Sequence, residues 1–380
     1  MRLDSFKLNR ALETLHHAGL DGALFTDYYN VSYLTGYTMF LENGPSPFTR
    51  GAAAVLLLPN EIHLVAESPH ESVQADDWSG TVVPYVGYSA EGSITGTREF
   101  LSTTLGMLHD HLPASGHFGY ELSHLPAAIY APLSAETSRS WLDLPSQMML
   151  QVRAVKSADE LRRLQTAAHL AEVGQAAVHR LVAEPGRSEI EVYNGAKQAM
   201  EVSVGGRFAL QNALHGGPNS AVPVPGMPTD YELQAGDLLI SDIVPFFDGY
   251  WADSCSTFAV GRVVTDESHR IHAVAREAFE MGFEAIRPGI SGHQLAAIVK
   301  GTVQKYGHDY SHHTGHGVGV SNHEEPRITL GSQTLLEPDM VVLLEPAVYI
   351  EGLGGCRQER MIRVTADGAE LMTHNPLVLV

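Results

Sequence analysis

At 380 residues the chain is long for one domain and comfortable for two, and 44% hydrophobic with 18% charged residues describes a folded protein with a large core. A formal charge of −20 argues against nucleic acid or an anionic membrane as a partner. The opening Met1-Arg2-Leu3-Asp4-Ser5-Phe6 has no apolar signal core and no run reaches about 18 apolar residues, so the expectation is a cytoplasmic chain without a membrane span.

In chain order, residues 4–20 read as an amphipathic helix carrying Phe6, Leu12 and Leu15, with Gly19 near its end. Apolar runs at 22–26, 52–58, 62–66 and 82–86 follow, separated by turn signals. Helical stretches at about 94–111 and 125–135 flank a short strand at 118–121. Strands mixed with helices predict an α/β first domain, placed at 1–153. At Ser157 the chain changes character. Ser157-Ala158-Asp159-Glu160 is a capping box, with Leu161, Leu164 and Leu170 along the helix it opens. Ser188-Glu189-Ile190-Glu191 and Ser291-Gly292-His293-Gln294 repeat the device, and Asp266 begins a helix running to about Ile286. Residues 154–380 therefore read as a second, α+β domain.

The second domain carries the chemistry. Asp242 ends the apolar run Leu238-Leu239-Ile240, and Asp253 follows Gly249-Tyr250-Trp251 eleven residues later. A turn at Asp248-Gly249 makes this a predicted β-hairpin with both carboxylates at one end of neighbouring strands. His316 lies in the glycine-punctuated His312-His313-Thr314-Gly315-His316-Gly317-Val318-Gly319. Glu345 stops the apolar run 340–344 before Pro346, and Glu359 follows Gly355-Cys356-Arg357-Gln358. An unpaired buried carboxylate is strongly unfavourable, and a cation is the simplest compensation. Four carboxylates with one imidazole suit a pair of divalent ions, with manganese favoured over cobalt and zinc. Cys255 and Cys356 read as small buried thiols. Among 20 histidines a lone one means little, so His16, His17, His63, His70, His109, His308 and His313 read as ordinary surface or core residues.

These motifs resemble those of the metallopeptidase family M24, which includes proline aminopeptidase, prolidase, methionine aminopeptidase and creatinase. The likeness extends over nearly the whole chain, and Asp27-Tyr28-Tyr29-Asn30-Val31-Ser32-Tyr33-Leu34-Thr35-Gly36 resembles the opening segment of the creatinase-type N-terminal domain. The resemblance implies a ribonuclease H-like first domain and a pita-bread catalytic domain. It implies that Asp242, Asp253, His316, Glu345 and Glu359 are metal ligands, with Asp253 and Glu359 shared between two ions. It further implies that Glu345 accepts a proton from water, and that His323, His312 and Arg357 act beside the ligands. The implied partners are short proline-containing peptides cut at the Xaa-Pro bond, or another small amide, with the chain working as a homodimer.

Two departures stand out. Proline-specific members carry a histidine at the end of a Gly-x-Asn-Ser-Ala-x-Pro-His loop, whereas this chain reads Gly217-Pro218-Asn219-Ser220-Ala221-Val222-Pro223-Val224. His215 lies nearby as a substrate-facing candidate. Arg360 also stands where an Asp is common. The Val224 departure leaves room for a non-peptide C–N hydrolase resembling ectoine hydrolase. Members that use the fold only to bind other proteins typically lose ligands, and here all five positions are filled.

Overall fold

The computed structural model describes residues 3–38, 51–59, 61–67, 81–88, 90–93, 95–223 and 226–380. Val224 and His70 lie outside the described residues. The chain divides into two compact units, Met1–Arg153 and Ala154–Val380.

In the first unit, six described strands form a mixed sheet in the order β4-β3-β2-β1-β5-β6. They are β1 (Gly22–Phe25), β2 (Ala54–Leu58), β3 (Glu61–Glu67), β4 (Thr81–Tyr85), β5 (Gly116–Tyr120) and β6 (Arg139–Asp143). The helices are α1 (Ser5–His17), α2 (Tyr28–Thr35), α3 (Gly96–His111), α4 (Ala127–Ala135) and α5 (Ser146–Ala154). Asp4 caps α1 by accepting the Phe6 amide at 3.0 Å. β1, β2 and β3 pair antiparallel, whereas β3–β4, β1–β5 and β5–β6 are parallel. Buried Leu24, Leu56, Val65 and Phe118 from the sheet pack with Phe100 and Leu108 of α3. Sequence periodicity did not anticipate α2, β6 or α5. α2 is rich in aromatic and β-branched residues that favour strands, and β6 is too exposed to show an apolar alternation.

The second unit twice sets a helix pair before a sheet. The first pair is α6 (Ala158–Leu181) and α7 (Glu189–Val204), and the second is α8 (Asp266–Ala285) and α9 (Gly292–Lys305). Each of these helices opens on a capping box, at Ser157/Glu160, Ser188/Glu191, Thr265/Ser268 and Ser291/Gln294. β7 (Ala209–Gly216), β8 (Leu238–Phe247) and β10 (Ser254–Ala259) form an antiparallel sheet in the order β10-β8-β7, with β9 (Tyr250–Trp251) folded back on β8. β11 (Gly315–Gly317), β12 (Glu324–Ile328), β13 (Val341–Leu344), β16 (Arg360–Val364) and β17 (Ala369–Leu371) form a second sheet in the order β12-β11-β13-β16-β17. β14 (Ala347–Ile350) and β15 (Gly354–Arg357) pair separately. The core lies between α8 and α9 and the strands, where Ile271, Ala275 and Val299 meet Val342, Leu344 and Ile362.

The sheets of the second unit meet where Cys255 pairs with Glu359. Cys255 of β10 donates its amide to the Glu359 carbonyl at 3.2 Å, and the Glu359 amide donates to the Cys255 carbonyl at 2.9 Å. Arg360, 1% exposed, donates from Nη1 to both of those carbonyls at 2.7 Å, and its Nε and Nη2 reach the carbonyls of Asn375 and Pro376. That explains the departure at this position. The guanidinium saturates a cluster of main-chain acceptors that a carboxylate could not.

Candidate metal centre

Asp242 projects from the middle of β8, where its register partners are Ala213 on β7 and Cys255 on β10. The sequence reading put it at a strand end. The strand instead continues to Phe247 because it is paired on both sides. The turn falls at Asp248-Gly249, both with positive φ, and Asp253 follows β9 directly before β10. Gln175 of α6, 1% exposed, fixes this region from below. Its Nε2 donates to the carbonyls of Ser241 at 2.9 Å and Ser254 at 2.6 Å, the residues next to the two aspartates.

His316 sits at the centre of β11 between two glycines that admit no side chain. A Cβ on Gly315 would lie 1.9 Å from the Leu343 carbonyl oxygen, and one on Gly317 would lie 2.2 Å from that of Glu325. The glycines thus allow the flanking strands to close on β11. His316 Nδ1 donates to the Gly317 carbonyl at 2.9 Å, which leaves Nε2 as the acceptor. Nε2 lies 3.8 Å from Asp253 Oδ2, 3.8 Å from Glu359 Oε1 and 3.9 Å from Glu345 Oε1. These separations are too long for hydrogen bonds.

The donor set fits a cation. Asp253, His316, Glu345 and Glu359 are each no more than 6% exposed. Oδ1 of Asp242, Oδ1 of Asp253 and Oε1 of Glu345 are buried without a hydrogen-bond partner. Burial, and then the neighbouring carboxylates, push Asp253 and Glu359 well above the usual carboxylate range. Burial raises Asp242 too, against the pull of Arg357, whose Nη2 pairs with Asp242 Oδ2. One guanidinium does not balance this many buried carboxylates, so a bound cation is the natural counter-charge. Cys255 also lies within reach of Asp242 and Glu359, but burial holds its thiol well above its ordinary value. It remains neutral and accepts a 3.4 Å hydrogen bond from Arg357 Nε.

A rim of imidazoles covers one side. His323 stacks on His316 with ring centroids 4.0 Å apart, and desolvation followed by the charges of His313 and Arg327 lowers it to about 4. The buried pair Lys156–Glu324, at 2.8 Å, anchors the chain directly after His323. His312 Nε2 lies 3.1 Å from the Tyr349 hydroxyl, and its Nδ1 is 3.5 Å from Glu345 Oε2. His215 is placed on β7, where Nε2 accepts the Gly226 amide at 2.9 Å beside a small cavity shared with Tyr349 and Arg357. His313, read from sequence as ordinary, belongs to the cluster. Its Nε2 is 2.6 Å from Glu345 Oε1, without hydrogen-bond alignment, and its ring is edge-on to His316 and His323. Burial works against ionisation of Glu345, but His313, His316 and His312 outweigh it and hold the carboxyl down at about 2.

Residues 162–366 match the model of metallopeptidase family M24, and residues 7–155 match the creatinase/prolidase N-terminal domain. The chain belongs to family M24. It is 29% identical over 379 residues to "Uncharacterized peptidase YqhT" of Bacillus subtilis, covering 98% of this chain and 99% of that one. It is 31% identical over 224 residues to the Xaa-Pro dipeptidase of Pyrococcus furiosus, covering 58% of this chain and 64% of that one. Among solved structures, the Xaa-Pro dipeptidase from Bacillus anthracis superposes with a TM-score of 0.82 at 25% identity, covering 98% of both chains. The expected two-part architecture, a creatinase-type domain followed by a pita-bread domain, is the one this M24 chain has. No described helix is long and apolar enough to cross a membrane.

Proposed function

We propose that this M24 metallopeptidase cleaves the Xaa-Pro bond at the N-terminus of short peptides, using two divalent ions, manganese foremost. The observation that carries the reading is the convergence of Asp253, Glu345 and Glu359 within 3.9 Å of the His316 acceptor nitrogen. Asp242 extends the set from β8 beside Glu359. When bound, such ions supply Lewis acidity and make a water acidic enough to attack near neutral pH.

The chain's own groups would do the rest. Asp242, Asp253, His316, Glu345 and Glu359 would hold the ions. Glu345, ionised and flanked by His312 and His313, would take the proton of the attacking water. His323, which is exposed, would donate to the tetrahedral oxygen or the departing nitrogen. His312, with Nδ1 on the His313 carbonyl and Nε2 on the Tyr349 hydroxyl, would act beside Glu345 by holding Tyr349 in place. Arg357 would keep Asp242 ionised and oriented.

The test is turnover of Ala-Pro against Ala-Pro-Ala after manganese is added to metal-free protein. Manganese-dependent release of alanine from either peptide supports the reading, and the ratio separates dipeptidase from aminopeptidase. Failure on both, with hydrolysis of a cyclic or acylated amide, would move the assignment to a non-peptide C–N hydrolase.

A further inference from the structure

A second constellation of metal-binding side chains lies in the first unit, apart from any peptidase chemistry. Glu61 opens β3 and His63 follows two residues later, so both leave the same face of the strand. His111 is the last residue of α3, the helix whose Phe100 and Leu108 share the core with Val65 of β3. His63 Nε2 lies 3.0 Å from Glu61 Oε2. The His63 and His111 rings face one another with centroids 3.7 Å apart. One donor atom from each of the three residues lies within 4.8 Å of the other two.

Three features distinguish this cluster from ordinary polar packing. His63 is only 3% exposed, so its ring nitrogens depend on the protein or an ion for partners. Its Nε2 is the nitrogen that faces the Glu61 carboxylate, so an ion held by both residues would bind at Nε2, with the proton on Nδ1. Third, His111 stands at the C-terminus of a 16-residue helix, where the aligned peptide dipoles favour a cation.

We propose that Glu61, His63 and His111 form a separate binding site for a divalent transition-metal ion of the zinc class. Two imidazoles and one carboxylate suit zinc rather than calcium or magnesium, which prefer all-oxygen sets. The donor set also differs from the carboxylate-rich centre of the second unit. Small rotations of the half-buried His111 and the exposed Glu61 close the three donors on one ion, with water completing its coordination. The ion would tie the start of β3 to the end of α3.

The experiment uses the full-length protein after incubation with excess manganese. Wild type, Glu61→Gln and His111→Ala are equilibrated with zinc against a chromophoric chelator, and bound metals are counted by mass spectrometry. Exchange of zinc into the carboxylate-rich centre is common to all three proteins and cancels in the difference. Wild type is expected to hold one more zinc per chain than His111→Ala, and to gain a zinc-dependent rise in Tm that His111→Ala lacks. Glu61→Gln should weaken the extra zinc, and amide hydrolysis should be alike in all three proteins. His63 is left intact because its replacement could disturb the sheet. An equal zinc count in wild type and His111→Ala, at zinc concentrations that saturate the wild type, overturns the proposal.

Discussion

His313 brings its Nε2 within 2.6 Å of Glu345 Oε1, while the adjacent His312 approaches the other oxygen of the same carboxylate at 3.5 Å. Two consecutive imidazoles thus bracket one glutamate. The arrangement arises because residues 312–313 precede β11 in irregular backbone, which lets neighbouring side chains point the same way. In a regular strand they would face opposite sides.

His313→Ala removes one bracket and leaves the five acidic and imidazole candidates for metal binding in place. His313 is foremost among the imidazoles that hold the Glu345 carboxyl down, and a tenfold effect on its ionisation is worth about 1.4 kcal/mol. Turnover of a good Xaa-Pro substrate should therefore fall by about 10- to 100-fold, with bound manganese nearly unchanged. Steady-state kinetics with parallel metal analysis checks this. Wild-type turnover in the variant would reduce His313 to a bystander.

Glu345→Gln keeps the size of the side chain and removes its capacity to accept a proton. Turnover should drop by roughly 100-fold or more. Manganese affinity should weaken as well, since one charged donor is lost. Saturating manganese during the assay separates the two effects. A metal-replete variant that still turns over at the wild-type rate would show that proton transfer runs through another group.

Gln175 supports the first sheet where Asp242 and Asp253 emerge, through two hydrogen bonds to main-chain carbonyls. Gln175→Leu fills similar space but leaves both acceptors without that donor. Loss of the two bonds should cost about 2–4 kcal/mol in stability. It should also lower manganese affinity at temperatures where the variant remains folded. Urea denaturation gives the first quantity and isothermal titration the second. A destabilised variant with unchanged manganese affinity would limit Gln175 to a structural role.

Asp242, Asp253 and Glu345 stand out in the sequence because they interrupt or terminate apolar runs, a pattern that solvated acidic residues do not show, whereas Glu359 follows Arg357-Gln358 and was legible mainly through the family resemblance. The capping boxes that open α6, α7 and α9 were legible for a similar reason, since their hydrogen bonds close within three residues. Gln175 and Arg360 were not. Their partners are main-chain carbonyls, 66 and 79 residues away for Gln175 and as far as 105 for Arg360, which impose no pattern on the sequence. His313 was missed because periodicity cannot tell which of two adjacent histidines turns inward outside regular structure. Asp242 was placed at a strand end because hydrophobic runs mark burial, whereas the length of β8 is set by its pairing with β7 and β10.

His272 on α8 offers a pH test away from the candidate metal centre. It is 6% exposed, its Nε2 has no partner, and burial, followed by the charges of Arg276, His269 and Arg360, lowers it from 6.5 to about 4. The native state therefore keeps this imidazole neutral, whereas the unfolded chain protonates it near 6.5. As pH falls from 6.5 toward 4 the unfolded state gains a proton that the folded state does not, so stability is lost across that window. Below about 4 both states are protonated and the loss levels off. The gap between the two values corresponds to about 3 kcal/mol. His272→Leu should remove this component, giving a shallower decline in urea midpoint between pH 6.5 and 4 than the wild type shows. Parallel declines in the two proteins would mean that His272 already carries its proton in the folded state.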